Sequence, residues 1–237
     1  MAFAVNSAAQ ITVGAGYANA SHVDKVKSGS DSVSDKTGMS GIWIGGTYEW
    51  NFMKENWGDL SLLPGATYSF FGKKLKSESD EEDGYEYSYK QSRRDHYLDI
   101  PVSVKYAYDF GSVKAWAYAG PVFSFGLSAK SIYKAFEDDG ETEYKNVTRA
   151  GLYSGKTSWK RYENGKVVES GKEKGESDYS MFDIKLGLGL GVTVFEKYDV
   201  KLGYNIGILN RYTGEQSDDY KFKSKTNVFY FGVAYHF

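Results

Sequence analysis

The chain has 237 residues, a formal net charge of -2, 25% charged residues and no cysteine. That length suits one large β domain or two small ones, and the balanced charge offers no electrostatic footprint for nucleic acid. The lack of cysteine excludes disulfides, thiolate metal sites and cysteine nucleophiles together. Aromatics reach 17%, with 21 Tyr and 14 Phe, against 27 Gly and only 3 Pro. Tyr and Phe favour strands, and Gly suits turns and crowded interiors. Mean hydropathy is -0.51, and no stretch approaches the ~20 apolar residues of a spanning helix. Strands that alternate apolar and polar average out in such a measure, so a membrane barrel stays open.

Residues 1–9 run apolar and then small, and Ser7-Ala-Ala9 fits a secretory cleavage site. They read as a signal-peptide remnant, leaving residues 10–237 as a single exported domain. Period-two alternation then predicts eight strands. The first covers residues 10–20, with Ile11, Val13, Ala15 and Tyr17 on one face. The second (41–53) sets Ile42, Ile44, Tyr48, Trp50 and Phe52 against Gly45, Thr47, Glu49 and Asn51. The third (60–73) is blurred by Leu63 and Phe71. The fourth (97–108) is clean, with Leu98, Ile100, Val102, Val104, Tyr106 and Tyr108 opposite Asp99, Ser103 and Lys105. The fifth (113–129) is weaker, and Trp116 falls uncomfortably on its polar face. The sixth (179–195) alternates Phe182, Ile184, Leu186, Leu188, Leu190, Val192 and Val194 with Asp183, Lys185, three glycines and Thr193. The seventh (198–209) follows a link of about two residues. The eighth (227–237) places Phe229, Phe231, Val233, Tyr235 and Phe237 on one face.

Polar segments at 21–40, 74–96, 130–177 and 210–226 read as long loops, and short links separate the others. Inside 130–177, Glu163-Asn-Gly165 marks a local hairpin between 157–162 and 166–169, Asn-Gly being a strong two-residue turn signal. Long and short connections alternate, as in an outer-membrane barrel with both termini on the periplasmic side. The expected fold is all-β: an eight-stranded antiparallel up-and-down transmembrane β-barrel with long outer loops and short periplasmic turns.

Both a soluble and a membrane barrel predict alternation; the chemistry of the two faces separates them. The polar faces of the sixth and seventh strands are mostly Gly, which suits a narrow lumen better than a solvated exterior. Glu49, Asp99 and Asp183 can balance Lys105, Lys114, Lys185 and Lys201 inside as a polar plug or pore lining. Aromatics at the ends of the apolar faces fit an interfacial girdle.

Tyr97-Leu-Asp-Ile-Pro-Val-Ser-Val-Lys-Tyr106 resembles the Tyr-Leu-Glu-Ile-Pro-Leu-Leu-Leu-Lys-Tyr signature of the PorT-like outer-membrane β-barrel family. Ala117-Tyr-Ala-Gly-Pro121 is similar to the Gly-Pro strand that follows it, and Leu62-Leu-Pro-Gly-Ala-Thr-Tyr68, the sixth strand and residues 227–237 fit in order. The resemblance implies an eight-stranded outer-membrane barrel, a lipid environment, and insertion by the barrel-assembly machinery reading Phe229, Phe231, Val233, Tyr235 and Phe237. The third outer segment is longer than in a minimal member. No site residue carries over.

Catalytic chemistry is sparse. His22 and His96 fall in loops and His236 at a strand end, none with a partner at metal-ligand spacing. The acidic run 80–83 lacks the spacing of a calcium loop, and Gly187-Leu-Gly-Leu-Gly191 lies within a strand rather than before a helix. No credible Ser-His-Asp set is present. The expectation is a non-enzymatic protein without cofactor, acting through extracellular loops rich in Tyr85, Tyr87, Tyr89, Tyr133, Tyr144, Tyr153, Trp159 and Tyr162 on a protein or polysaccharide partner. The alternatives are a narrow pore or transport accessory, and a soluble lipocalin-like carrier of small apolar ligands.

Overall fold

The computed structural model describes residues 10–75, 79–82, 85–138, 142–217 and 220–237. The signal-remnant reading of 1–9 lies outside the described residues. Twelve strands occur among them: β1 (Gln10–Ser28), β2 (Asp31–Glu55), β3 (Gly58–Leu75), β4 (Ser79–Glu82), β5 (Tyr85–Asp109), β6 (Val113–Asp138), β7 (Glu143–Gly151), β8 (Lys156–Glu163), β9 (Lys166–Lys174), β10 (Phe182–Val194), β11 (Tyr198–Gly207) and β12 (Tyr220–His236). Eight close a ring in the order β1-β2-β3-β5-β6-β10-β11-β12, every neighbour antiparallel. The first and last strands meet from Thr12↔His236 to Ser28↔Tyr220.

The polarity of this ring is inverted relative to a soluble protein. On β10, Leu190 is 55% exposed while Lys185, on the opposite face of the alternation, is 1% exposed. In water this order would be unstable; against hydrocarbon it buries the apolar face in lipid and keeps the charges inside. The apolar band covers residues 11–17, 42–52, 60–70, 98–108, 115–127, 182–192, 198–208 and 229–237 on the eight ring strands. Trp57 stacks on Tyr106 at 6.0 Å, and Tyr235 meets Tyr198 at 5.5 Å and Phe237 at 4.9 Å. These rings form a girdle at the periplasmic rim.

Short turns sit at that rim. The β5–β6 turn is locked by Gly111 donating its N–H to Asp109 Oδ1 at 2.7 Å, the local bond an Asx turn requires. The local hairpin expected around Asn164-Gly165 is present as β8–β9, with φ of 45° and 76° at these two residues.

The outer segments differ from expectation. Residues 21–40 and 74–96, read as loops, are mostly strand: β1 and β2 run on to a two-residue turn in which Gly29 takes φ 57°, and β5 pairs with β6 far above the apolar band. The segment 130–177 supplies the top of β6 and the strands β7, β8 and β9, which extend the sheet sideways, and β12 already begins at Tyr220 within 210–226. Above the lipid both faces of a strand meet water, so the apolar alternation that marks a strand in the sequence is gone while the hydrogen-bond ladder continues. His22 and His96 therefore stand on strands, not in loops. The sixth strand starts at Phe182 rather than 179; Tyr179 makes only an isolated bridge to Tyr212. Of the acidic run 80–83, residues 80–82 belong to β4, and Asp83 lies outside the described residues.

Candidate functional site

An eight-stranded barrel has an interior that side chains just fill, and this lumen is built in layers. At the periplasmic end a chain of polar contacts crosses five strands. Trp116 Nε1 donates to Thr193 Oγ1 at 3.0 Å, and Thr193 Oγ1 donates to Asp199 Oδ1 at 2.6 Å. Asp199 Oδ1 lies 2.9 Å from His236 Nε2, and His236 Nδ1 meets Thr12 Oγ1 at 3.2 Å. Trp116, awkward on its face in the sequence, is inward because the indole N–H has this partner. Nothing in the spacing announces the chain, since its members lie on β6, β10, β11, β12 and β1.

Above it sit the charges expected inside. Lys105 Nζ donates to Glu49 Oε2 at 2.8 Å, and Ser61 Oγ donates to Glu49 Oε1 at 2.8 Å. Lys114 bonds Asp59 at 3.2 Å near the rim, and Lys185 lies 3.5 Å from Asp99. Lys201 stands 4.6 Å over the Trp43 ring, and Asp183 Oδ1 accepts from the Leu209 N–H at 3.3 Å. Each of these lumen cations thus has a carboxylate or an aromatic face within reach. The glycines opposite are seats for rings: a Cβ on Gly203 would lie 2.5 Å from both the Tyr118 and Tyr230 hydroxyls. A cavity of about 90 Å³ remains between these layers, room for a few waters and far too little for a sugar.

The lumen is capped at its outer end. Met39, Phe71, Tyr97, Ala18, Ala20 and Val228 form an apolar layer, which is why Phe71 broke the alternation of the third strand. Above it lies a cluster that no sequence motif marks. Arg211 is 3% exposed; its Nη1 donates to Tyr97 Oη at 3.0 Å and Thr226 Oγ1 at 3.3 Å, and its Nη2 donates to Ser180 O at 3.0 Å and to Tyr153 Oη. Thr226 Oγ1 also meets His22 Nδ1 at 3.0 Å. His22 Nε2 lies 3.2 Å from Asp95 Oδ2, and Arg93 grips the same carboxylate at 2.9 and 3.0 Å.

The His22–Asp95–Arg93 group stands above the apolar band and gives the cap a pH dependence. Burial lowers the His22 pKa, Arg93 and Arg211 push the same way, and the Asp95 contact opposes them only in part. For Asp95, burial alone would raise the pKa, but His22 and Arg93 outweigh it and hold the carboxyl below its ordinary value. Both groups bind protons less readily folded than unfolded, so acid destabilises the cap. The His22 contribution is expected to fade as pH falls below about 6.5 and that of Asp95 below about 3.9. Amide exchange of residues 20–28 and 89–95, corrected for intrinsic rates, should accelerate from pH 7 to pH 5 in the wild type. An unchanged profile would contradict the buried neutral imidazole.

The aromatics that the sequence assigns to the outer loops divide among three places. Tyr87, Tyr89, Tyr133, Tyr144 and Trp159 share the inner face of the outer sheet through the register Tyr89↔Ala135, Gln91↔Tyr133, Tyr133↔Thr148 and Thr148↔Trp159. Tyr89 and Tyr133 stack at 6.1 Å, and Arg161 lies 5.4 Å from the Tyr144 ring. Tyr153 turns into the lumen mouth and Tyr162 onto the outward face, while the Tyr85 side chain lies outside the described residues. Phe229, Phe231, Val233, Tyr235 and Phe237 all lie on the outward, lipid-facing side of β12. His96 is outward too, bonded to the Tyr68 hydroxyl at 2.6 Å. Among the described residues no group of three or more His, Cys, Asp or Glu is placed to hold a metal ion.

The family model described as "Outer membrane protein beta-barrel domain" matches residues 5–213. The chain belongs to this outer-membrane β-barrel family. Membership places it in the bacterial outer membrane, in contact with lipid, which removes the soluble-carrier alternative. No curated protein matches the sequence. Among solved structures, this family member is similar to Ail, the attachment invasion locus protein of Yersinia pestis, at 12% identity and TM-score 0.35, covering 96% of this chain and 98% of that one. It is also similar to the outer membrane protease OmpT from Escherichia coli at 10% identity and TM-score 0.34, covering 100% and 99%. A third is the COG4313 outer membrane channel from Pseudomonas putida F1, at 8% identity and TM-score 0.27, covering 96% and 95%.

Proposed function

We propose that the protein is a non-enzymatic surface barrel of the PorT-like kind that binds an extracellular protein or polysaccharide through its outer sheet. The observation that carries this reading is the aromatic face made by Tyr87, Tyr89, Tyr133, Tyr144 and Trp159 on β5–β8, held on a rigid ladder well above the membrane. Tyr87, Tyr89 and Tyr133 are exposed and Tyr144 and Trp159 half-buried; such rings on a fixed sheet offer large contact area at little entropic cost, and Tyr and Trp keep a polar edge for hydrogen bonds. The Thr12–His236–Asp199 chain supports the non-enzymatic part, because both imidazole nitrogens are engaged and the three residues are enclosed within the lumen. Insertion by the barrel-assembly machinery through residues 229–237 belongs to the same proposal.

The test is display of the wild type and a Tyr89→Ala/Tyr133→Ala/Trp159→Ser variant on cells probed with panels of immobilised glycans and matrix proteins. Binding by the wild type that falls at least tenfold in the variant, at equal surface level, is the expected result; equal binding by both would remove the aromatic face from the account. The narrow-pore alternative is separated in planar bilayers. With Glu49–Lys105, Asp99–Lys185 and the Arg211 cap in place, no steady openings are expected, and steady openings would replace this reading by a transport role.

A further inference from the structure

The strand register sorts charge above the membrane in a way composition conceals. On β1, Ala18, Ala20 and His22 point inward, so the alternation sends Lys25 and Lys27 outward. Their partners follow them: Lys27↔Lys221, Lys25↔Lys223 and Val23↔Lys225 on β12, and Val23↔Lys36 on β2. Among the described residues none of these six lysines forms an ion pair. The acids of the same hairpin take the other face, where Asp24 pairs in register with Asp35. The pattern continues around the wall. Arg94↔Lys130 and Lys90↔Lys134 face outward on β5 and β6, and Arg149 and Lys145 join them on β7, while Asp95 and Glu137 face inward. Among the described residues of β5, β6 and β7, the outward acids Asp138 and Glu143 stand at the far tips. A chain of net charge -2 therefore presents a cationic belt on one face.

The belt is continuous with the lipid-facing band. Phe229 is the outermost lipid-facing aromatic of β12, and Lys225 lies four residues further out along the strand. At ~3.3 Å per residue and a tilt of ~40°, Lys225 rises about 10 Å above it. The polar headgroup region extends roughly 5–8 Å beyond the hydrocarbon on each side, and a lysine stem can reach back along the surface. Arg94 stands four residues beyond Leu98 and Lys130 three beyond Leu127, at the same level.

We infer that the lower edge of this outward belt is a binding surface for the phosphate-bearing headgroups of the outer leaflet surrounding the barrel, anchored by Lys36, Lys225, Arg94 and Lys130. Charge complementarity and continuity with the lipid band select this occupant. A soluble partner approaching from above would meet the tips and the inner face first, whereas the belt faces sideways into the headgroup layer. The surface is separate from the aromatic face, so the two readings stand or fall independently.

The experiment counts lipids retained per full-length folded barrel by native mass spectrometry. The probes are bisphosphorylated lipid A, the same lipid stripped of both phosphates, and inositol hexakisphosphate as a soluble polyanion. Lys36→Gln/Lys130→Gln/Lys225→Gln is compared with Lys73→Gln, an inward lysine at similar height, after heat-modifiable mobility confirms both barrels. Retention of the phosphorylated lipid should drop at least tenfold without its phosphates and roughly fivefold per lysine removed, with Lys73→Gln unchanged. Equal retention of the stripped lipid, or an unaffected triple variant, would overturn the inference. Soluble polyanion binding as strong as lipid binding would overturn it as well, transferring the belt to a ligand from solution.

Discussion

Replacing Gly16 by valine is expected to abolish most of the folded barrel. Gly16 stands between Gly232 on β12 and Trp43 on β2 in the register of the seam. A Cβ there would lie 2.5 Å from Gly232 Cα and 2.8 Å from Trp43 Nε1, and closer still to the Phe231 carbonyl oxygen. Two of the three obstacles are backbone, so no rotamer change relieves them. The third is the indole that donates to Phe231 O at 3.1 Å, and displacing it breaks that bond too. Overpacking costs about 1–3 kcal/mol where side chains can yield; at Gly16 the cost should reach the top of that range or pass it. Gly29→Ala is the contrast. Its site is open space and only φ 57° resists a side chain, worth about 1–2 kcal/mol. The heat-modifiable fraction and the urea midpoint in lipid vesicles measure both. Wild-type behaviour of Gly16→Val would mean that the Trp43 seat is not a packing constraint.

The second large effect belongs to Asp99→Ala. Lys185 is 1% exposed and Asp99 5% exposed, and their contact of 3.5 Å sits in the middle of the lumen. Lys185 has the Tyr97 ring at 5.2 Å as its other support. Removing one member of a buried pair leaves the other charge enclosed without its nearest counterion, a loss of about 3–5 kcal/mol. Replacing both, as Asp99→Leu with Lys185→Met, should recover most of that, because a buried pair contributes little over well-packed apolar groups. The comparison of urea midpoints separates charge from volume. A double variant as unstable as the single would assign the effect to lost packing around Tyr97.

The lipid-crossing part of the fold was legible because bilayer and lumen impose opposite chemistries on alternate residues. Leu186, Leu188 and Leu190 alternate with Lys185 and with Gly187, Gly189 and Gly191, and it is the glycines that mark the polar face as a narrow lumen rather than a solvated exterior. Legibility ended where that contrast ended. Lys25 and Asp24 are both at home in water, so the continuation of β1 left no apolar trace, although Lys221, Lys223 and Lys225 carry the same period two in charge. The inward position of the lumen ions followed from alternation, but their pairing did not: Glu49 and Lys105 meet across β2, β3 and β5, and only the stagger of the ring sets that height. The cap was the least visible, since Arg211 lies in an irregular segment and gathers Tyr97, Tyr153, Thr226 and Ser180 from four other parts of the chain.

The seam between β1 and β12 bears on how the molecule comes into being. The bond between Thr12 and His236 spans 224 positions in the chain, so the seam closes nearly the whole barrel sequence into one loop. Closure entropy grows with the logarithm of that separation, and contacts so remote form late and slowly. Until β12 arrives, β1 presents the ladder from Thr12 to Ser28 as a naked edge able to pair with any passing strand. Correct assembly thus depends on shielding that edge from other chains throughout synthesis and delivery, and the arrival of β12 is what ends the hazard.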